Sequence, residues 1–263
     1  MNNKTTVGFI GFGQMGKALG KGMIDYQVIP ARHLYACSQH YEKLLEDCKG
    51  WGLSIKKDPT EVIKNSEVVI LAVKPDQLEK VIGENKEELQ AKIVISIAAV
   101  HYFADLEKMF LPNTHHLSAM PNTPIEVGQG IMILEDQSSL TKAEMKLFKE
   151  LFEPISLLVT LDPKSFSVGG TIAGCAPAFT AMYIEALGDA GVKYGLKREK
   201  AYELAAKMLI GTGELYLKSH KHPALMKDEV CSPGGSTIRG VTELEKDSFK
   251  GAVINAVDAI EKK

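Results

Sequence analysis

The chain has 263 residues, of which 45% are hydrophobic and 24% charged, with a formal net charge of -2. That length suits one large or two modest domains, and the balanced charge gives no reason to expect nucleic acid or an anionic membrane as a partner. The cysteines Cys37, Cys48, Cys175 and Cys231 show neither C-x-x-C spacing nor the density of a secreted disulfide scaffold, so reduced thiols are the simplest expectation. The longest apolar run, at 68–73, is far too short to cross a bilayer. Nothing at the start resembles a cleavable signal. A soluble cytoplasmic protein is expected.

In chain order, short apolar runs at 7–10, 34–37, 68–73, 93–97, 116–119, 131–134 and 157–159 predict strands. Helix signals lie between them. Asp58 reads as an N-cap, with Pro59 at the first helical position and Glu61 in the first turn. Thr141 and Glu144 form a capping-box pattern opening a helix to Phe152. Strands that alternate with helices and are apolar on both faces predict a parallel sheet covered on both sides.

The pattern changes after Leu161. Asp162-Pro163 starts another helix, and no convincing strand follows. Residues 165–193 are crowded with glycine and alanine, and 198–220 reads as a long helix with Ala201, Leu204, Ala205, Met208 and Leu209 on one face. A last helix is expected at 249–260. The expected organisation is an α/β domain over 1–161 followed by an all-α domain over 162–263. The small-residue surface of the second would be exposed alone, which points to burial against a second copy.

Gly11, Gly13 and Gly16 stand in G-x-G-x-x-G spacing directly after the first strand, with Gln14 and Met15 in the first turn of the next helix. The first glycine permits the tight turn, the second lets a pyrophosphate approach the backbone, and the third allows close helix–sheet packing. Dinucleotide folds that select NAD usually end the second strand on an acid; here Ser38, Gln39 and His40 occupy that place. A carboxylate would repel a 2′-phosphate, whereas these side chains can donate to one, so NADP is favoured. Val73, Lys74 and Pro75 fall at the carboxyl end of a central strand, where ligands bind in open sheets. Lys74 reads equally well as a phosphate or ribose contact and as a solvated helix-start lysine. Near the other end, Pro233-Gly234-Gly235 before Ser236-Thr237 reads as a tight turn opening an amphipathic helix. The histidines, including His115-His116 and His220/His222, lack metal-site spacing and read as surface or packing residues. No metal and no catalytic triad are expected.

In order, "GFIGFGQMG", "VKP", "AMPNTP", "IEALGDAGVKYGLKREKAYELAA" and "HPALMKDEVCSPGGSTIRGVTELE" resemble the pyrroline-5-carboxylate reductase family, from about residue 7 to 260. The resemblance implies a Rossmann-type dinucleotide-binding domain followed by an all-α dimerisation domain that interlocks with a second subunit. It implies NADPH-dependent reduction of 1-pyrroline-5-carboxylate to L-proline, the last step of proline biosynthesis; NADP(H) is the expected cofactor, and NAD(H) is kept as an alternative that the site could accept. It places Ala98, Ala99, Pro121 and Asn122 at the cofactor and Pro177, Gly234, Gly235, Ser236 and Thr237 at the substrate, with Thr237 the catalytic side chain. In physical terms, successive backbone N–H groups at a glycine-rich helix start can hold the substrate carboxylate.

The chain also departs from the family pattern. Ser118 stands where an arginine is common, "GCAPAF" (174–179) replaces "GSGPAY", Val100 ends "SIAAV", and Pro59 replaces an asparagine. These lost polar groups frame the alternatives: a dinucleotide-binding paralogue without catalysis or with altered specificity, or a related imine reductase. A β-hydroxyacid dehydrogenase of similar build would need a lysine base on the first long helix of the second domain, and "GGTIAGCAPAFTAMYIEA" has none.

Overall fold

The structure is a computed structural model describing residues 4–98 and 101–262. It divides into two compact units, 1–174 and 175–263. The first is built on β1 (Val7–Ile10), β2 (Leu34–Cys37), β3 (Ser54–Ile55), β4 (Val68–Leu71), β5 (Ile93–Ser96), β6 (His115–Pro121), β7 (Gly130–Ser138) and β8 (Ser156–Leu161). Their order across the sheet is β3-β2-β1-β4-β5-β6-β7-β8. Helices α1 (Gln14–Asp25), α2 (Tyr41–Asp47), α3 (Pro59–Lys64), α4 (Pro75–Glu84), α5 (Lys86–Gln90), α6 (Phe103–Met109), α7 (Lys142–Phe152) and α8 (Pro163–Gly170) belong to the same unit.

β1, β4 and β5 are buried along their whole length. Phe9, Ile70 and Ile95 join Leu19, Met23, Phe148 and Phe152 on one face of the sheet. Ile10, Val69 and Val94 join Val62, Leu78 and Leu106 on the other. A strand buried on both faces must read as a continuous apolar run, which is why these were legible in the sequence. The Asp58 cap bonds Thr60 N–H, and the Thr141/Glu144 capping box is complete.

The expected all-parallel sheet is corrected at one pair: β6 and β7 run antiparallel, and every other pairing is parallel. Only a 3₁₀ turn over Thr123–Val127, closed by Gly128 in the left-handed region, joins them. That connection is too short for the crossover a parallel pair needs. β3 was not anticipated, because two residues carry no periodicity.

The first helix beyond the expected boundary packs on the sheet. Phe166 of α8 is buried with Ile133 and meets the Tyr102 ring edge-on, centroids 5.5 Å apart. A π-helical turn over Thr171–Cys175 then leads into the second unit. That unit comprises α9 (Ala176–Lys193), α10 (Arg198–Ser219), α11 (Pro223–Glu229), α12 (Ser236–Lys246) and α13 (Phe249–Glu261). α9 and α10 pack closely because Gly191 lies against Ala201 and Gly188 under the Tyr202 ring. Among the described residues of this unit only Gly188, Ala201 and Ala205 are buried. Of the apolar face expected on α10, Ala201 and Ala205 are buried within one chain, while Leu204 is 61% and Met208 42% exposed. The stripe is wider than α9 can cover.

Candidate functional site

The glycine loop between β1 and α1 has the geometry a phosphate group requires. Gly11 has φ +89°, and a Cβ there would lie 2.7 Å from the Ala72 carbonyl oxygen, so no other residue fits. A Cβ on Gly13 would meet nothing within 4 Å, which leaves its outer side open to a ligand. Gly16 packs against the Gly11 carbonyl and the Phe12 ring. Gly11 and Phe12 N–H donate to Cys37 O at 3.1 and 3.0 Å, which holds the loop to the end of β2. Gly13 caps α1 without any side-chain hydrogen bond. The N–H groups of the first turn, from Gln14 and Met15, thus face outward at the positive end of the helix.

Beside this loop lies a cleft of about 380 Å³ bordered by Gly11, Gly13, Ser38, Gln39, His40 and Val73. No carboxylate follows β2 there: Ser38 Oγ accepts from His40 N–H at 3.3 Å, and the Gln39 amide oxygen accepts from Gln77 Nε2 at 3.4 Å. Lys57, Lys74 and Lys80 border the same cleft, with Glu84 as its acid. Sequence reasoning missed Lys57 and Gln77. Lys57 lies two residues after the strand that had no periodic signal, and Gln77 becomes a neighbour only because α4 brings it within hydrogen-bond reach of Gln39. Cys37, at the end of β2, has its thiol pushed up to about 11 by burial, so it is a packed group and no nucleophile.

The carboxyl ends of β4, β5 and β6 carry the next predicted residues. Lys74 is exposed at the start of α4, with Pro75 at its first position. The Pro75 carbonyl lies 3.2 Å from His101 Nε2, and Ser118 Oγ donates to the His101 carbonyl at 3.2 Å. Ala98 is buried after β5; Ala99 lies outside the described residues. Pro121 ends β6 and is buried, as is Asn122. Both ends of the Asn122 amide are engaged within the protein: Oδ1 accepts from Ile131 N–H at 2.8 Å and Nδ2 donates to Ala173 O at 2.9 Å. This side chain therefore ties the sheet to the π-helical turn.

The 232–237 segment lies wholly in the second unit. Its turn opens α12, as expected, with Gly235 as a cap lacking a side-chain hydrogen bond. The two glycines of the turn, read together in the sequence, are not equivalent. Gly234, at φ +71°, is the one in the left-handed region, and a Cβ on it would meet nothing within 4 Å. Gly235 has an ordinary φ of −68° and is instead crowded by the Ser232 side chain and carbonyl. Its N–H donates to Ser232 O at 3.0 Å, so it is not among the donors free for an anion. Ser236 and Thr237 hold the outward N–H groups of the first turn, and the Thr237 side chain is exposed. Pro177 sits in the first turn of α9 and is half-buried.

Among the described residues no group of side chains could hold a metal ion, and no helix is long and apolar enough to cross a membrane. The histidines are placed individually. His116 is enclosed between Phe103 and Phe110, His115 pairs with Glu144, and His222 caps α11. A cleft of about 650 Å³ bordered by Thr6, Glu67, Lys92 and His115 lies at the amino edge of the strands, opposite the edge where ligands bind in open sheets.

A glycine loop open at its second glycine, a β2 end without an acid and a following helical unit define the class: a Rossmann-type dinucleotide-binding oxidoreductase fold joined to an all-α domain. Comparison narrows this. Residues 6–100 match the family model described as NADP oxidoreductase coenzyme F420-dependent, and residues 163–263 match that of pyrroline-5-carboxylate reductase dimerisation. The chain is 43% identical to the pyrroline-5-carboxylate reductase of Treponema pallidum, over 96% of this chain and 97% of that protein. It is 34% identical to the Arabidopsis thaliana enzyme of that name, over 98% and 93%. The crystal structure of Plasmodium falciparum pyrroline carboxylate reductase with NADP bound superposes with a TM-score of 0.87, at 32% identity, over 98% of this chain and 96% of that one. The chain belongs to the pyrroline-5-carboxylate reductase family.

Proposed function

We propose that this chain reduces 1-pyrroline-5-carboxylate to L-proline with NADPH, working as a homodimer or a multiple of one. The observation that carries the reading is the intact 234–237 turn, with Gly234 in the left-handed region and no side-chain cap on α12, in a chain related to reductases of that name over nearly its full length. The cofactor fits the residues present: Gly13 leaves the backbone open to a pyrophosphate, and Ser38, Gln39 and His40 repel no 2′-phosphate. When bound, the dihydronicotinamide supplies a hydride to the imine carbon.

The remaining work falls to this chain. Gly11–Gly16 would hold the phosphates, Ser38, Gln39 and His40 the adenosine ribose, and Val73, Lys74 and Pro75 the adjoining sugar and phosphate. Ala98, Ala99 and Pro121 would border the nicotinamide, and Asn122 would act there through the backbone it holds. N–H groups of Ser236 and Thr237, with the Thr237 hydroxyl, would fix the substrate carboxylate, and Pro177 and the bare Gly234 would leave room for a flat ring. A protonated imine needs orientation more than acid–base help, which suits a site without paired carboxylates.

The dimer accounts for the exposed apolar residues of the second unit, among them Leu204, Ile210, Leu215, Leu225 and Ile254. The functional boundary is proposed at 161/162, where the dimerisation match begins at 163. The free state of all the cysteines supports a reducing compartment, the cytosol. The test is NADPH oxidation by the purified protein with 1-pyrroline-5-carboxylate, alongside NADH, with mass by light scattering. NADPH binding without turnover would favour the non-catalytic paralogue that the changes at Ser118, Cys175, Ala176 and Phe179 allow, and turnover of other cyclic imines alone would favour an altered specificity.

A further inference from the structure

The end of β2 lacks the arginine that would make a 2′-phosphate site from sequence, yet the same cleft receives a cation from a different element. Lys57, from the turn between β3 and α3, borders the cleft together with Ser38, Gln39 and His40. Its ammonium lies 4.9 Å from the centre of the Tyr41 ring, and Tyr41 begins α2 immediately after His40. The ring thus holds the ammonium next to the segment that meets the adenosine ribose. The neighbouring cation Lys80 is within 3.8 Å of Glu84 on its own helix, which satisfies part of its charge. Gln39, which also borders the cleft, uses its amide oxygen to accept from Gln77, so its amide nitrogen is not spent in that bond and can serve as a further donor.

Resting on the NADPH reading above, we infer that Lys57, steadied by Tyr41, selects NADPH over NADH by pairing with the 2′-phosphate. The proposal concerns equilibrium binding, so it requires no substrate. A phosphate dianion meeting one ammonium in a half-open cleft makes a charge-assisted contact whose strength falls with ionic strength. Lysine suits the place: it acts as a point charge on a phosphate, with no need for the planar fork of an arginine.

The experiment titrates the full-length protein with NADPH, NADH, 2′,5′-ADP and 5′-AMP, by nucleotide fluorescence and calorimetry, at low and high salt. Lys57→Gln should weaken NADPH and 2′,5′-ADP by roughly ten-fold, about the scale of one hydrogen bond to a charged group. NADH and 5′-AMP should change by less than about two-fold, and the variant should lose part of the salt dependence of NADPH binding. Lys57→Arg should retain most of the preference. Tyr41→Leu should lose part of it, since the ammonium then wanders. A Lys57→Gln variant that weakens all four ligands alike, or none, overturns the assignment. If the unaltered protein binds NADPH no more tightly than NADH, it is the cofactor reading that fails; if it prefers NADPH and Lys57→Gln keeps that preference, only the role of Lys57 fails.

Discussion

Replacing Asn122 by alanine should destabilise the protein by about 3 kcal/mol. Asn122 is 4% exposed and bridges two segments that are distant in sequence, accepting from Ile131 N–H at 2.8 Å and donating to Ala173 O at 2.9 Å. The backbone bond from Asn122 N–H to Ile131 O, at 3.1 Å, survives the change. Truncation leaves one part-buried donor and one buried acceptor unpaired, at ~1–3 kcal/mol each, and water entering the vacated space recovers part of the total. At ~2–4 °C per kcal/mol for a chain of this size class, the melting temperature should fall by roughly 6–12 °C. Ser118→Ala is the control. It removes a single bond, Ser118 Oγ to His101 O at 3.2 Å, and should cost about 1 kcal/mol. Scanning calorimetry on both variants without cofactor decides the matter. If Asn122→Ala melts no lower than Ser118→Ala, the amide is not the strut that ties the sheet to the π-helical turn.

His116 makes the fold sensitive to mild acid. It is fully buried between Phe103 and Phe110, and that burial lowers its pKa despite the bond from Nε2 to Glu107 at 2.6 Å. Below the ordinary value of 6.5 the unfolded chain takes up a proton that the folded chain resists, so stability falls as pH drops through that region and is flat above it. Urea midpoints across about pH 5–8 should show this slope, and His116→Phe should flatten it; midpoints that rise on acidification would reverse the argument. At the second glycine turn, Gly234→Ala forces a Cβ into φ +71° and Thr237→Ala removes a donor to a charged group. Each should lower kcat/KM for the imine, Thr237→Ala by roughly ten- to a hundred-fold. NADPH affinity, read by fluorescence titration, should stay within about two-fold; loss of both together would mean the turn is not the carboxylate site. Cys37, its thiol raised to about 11 by burial, should stay unalkylated by iodoacetamide in the native protein and react after denaturation. Peptide mass spectrometry checks it, and native labelling of Cys37 would show that β2 opens.

The sequence by itself was sufficient wherever the determining physics is local. β1 and β2 stand at the predicted residues because strands inside the sheet, buried throughout in β1 and at all but Tyr35 in β2, leave a continuous apolar run. The Asp58, Thr141 and Asp162 caps hold because each bonds a backbone N–H two or three residues ahead. The need for glycine at position 11 was likewise readable from its place between a strand and a helix. The family resemblance reached further, to ligands and reaction class, through motifs spread over the whole chain.

Tertiary structure alone decided what depends on elements far apart in sequence. The antiparallel β6–β7 pair follows from a connection too short to cross over, in a run that reads like any other strand. Helix α8 stays with the sheet because Phe166 finds Ile133 and Tyr102 there, whatever its position after an apparent boundary. Asn122, read in the sequence as a ligand contact, has both amide ends committed to Ile131 and Ala173, partners that no spacing rule relates to it. Lys57 reaches the β2 cleft only because β3 pairs with β2 and brings the following turn beside Tyr41. Periodicity and capping act over a few residues and leave a pattern in the chain. Strand order, the covering of a helix face and the pairing of a buried amide are settled between distant segments, and leave none.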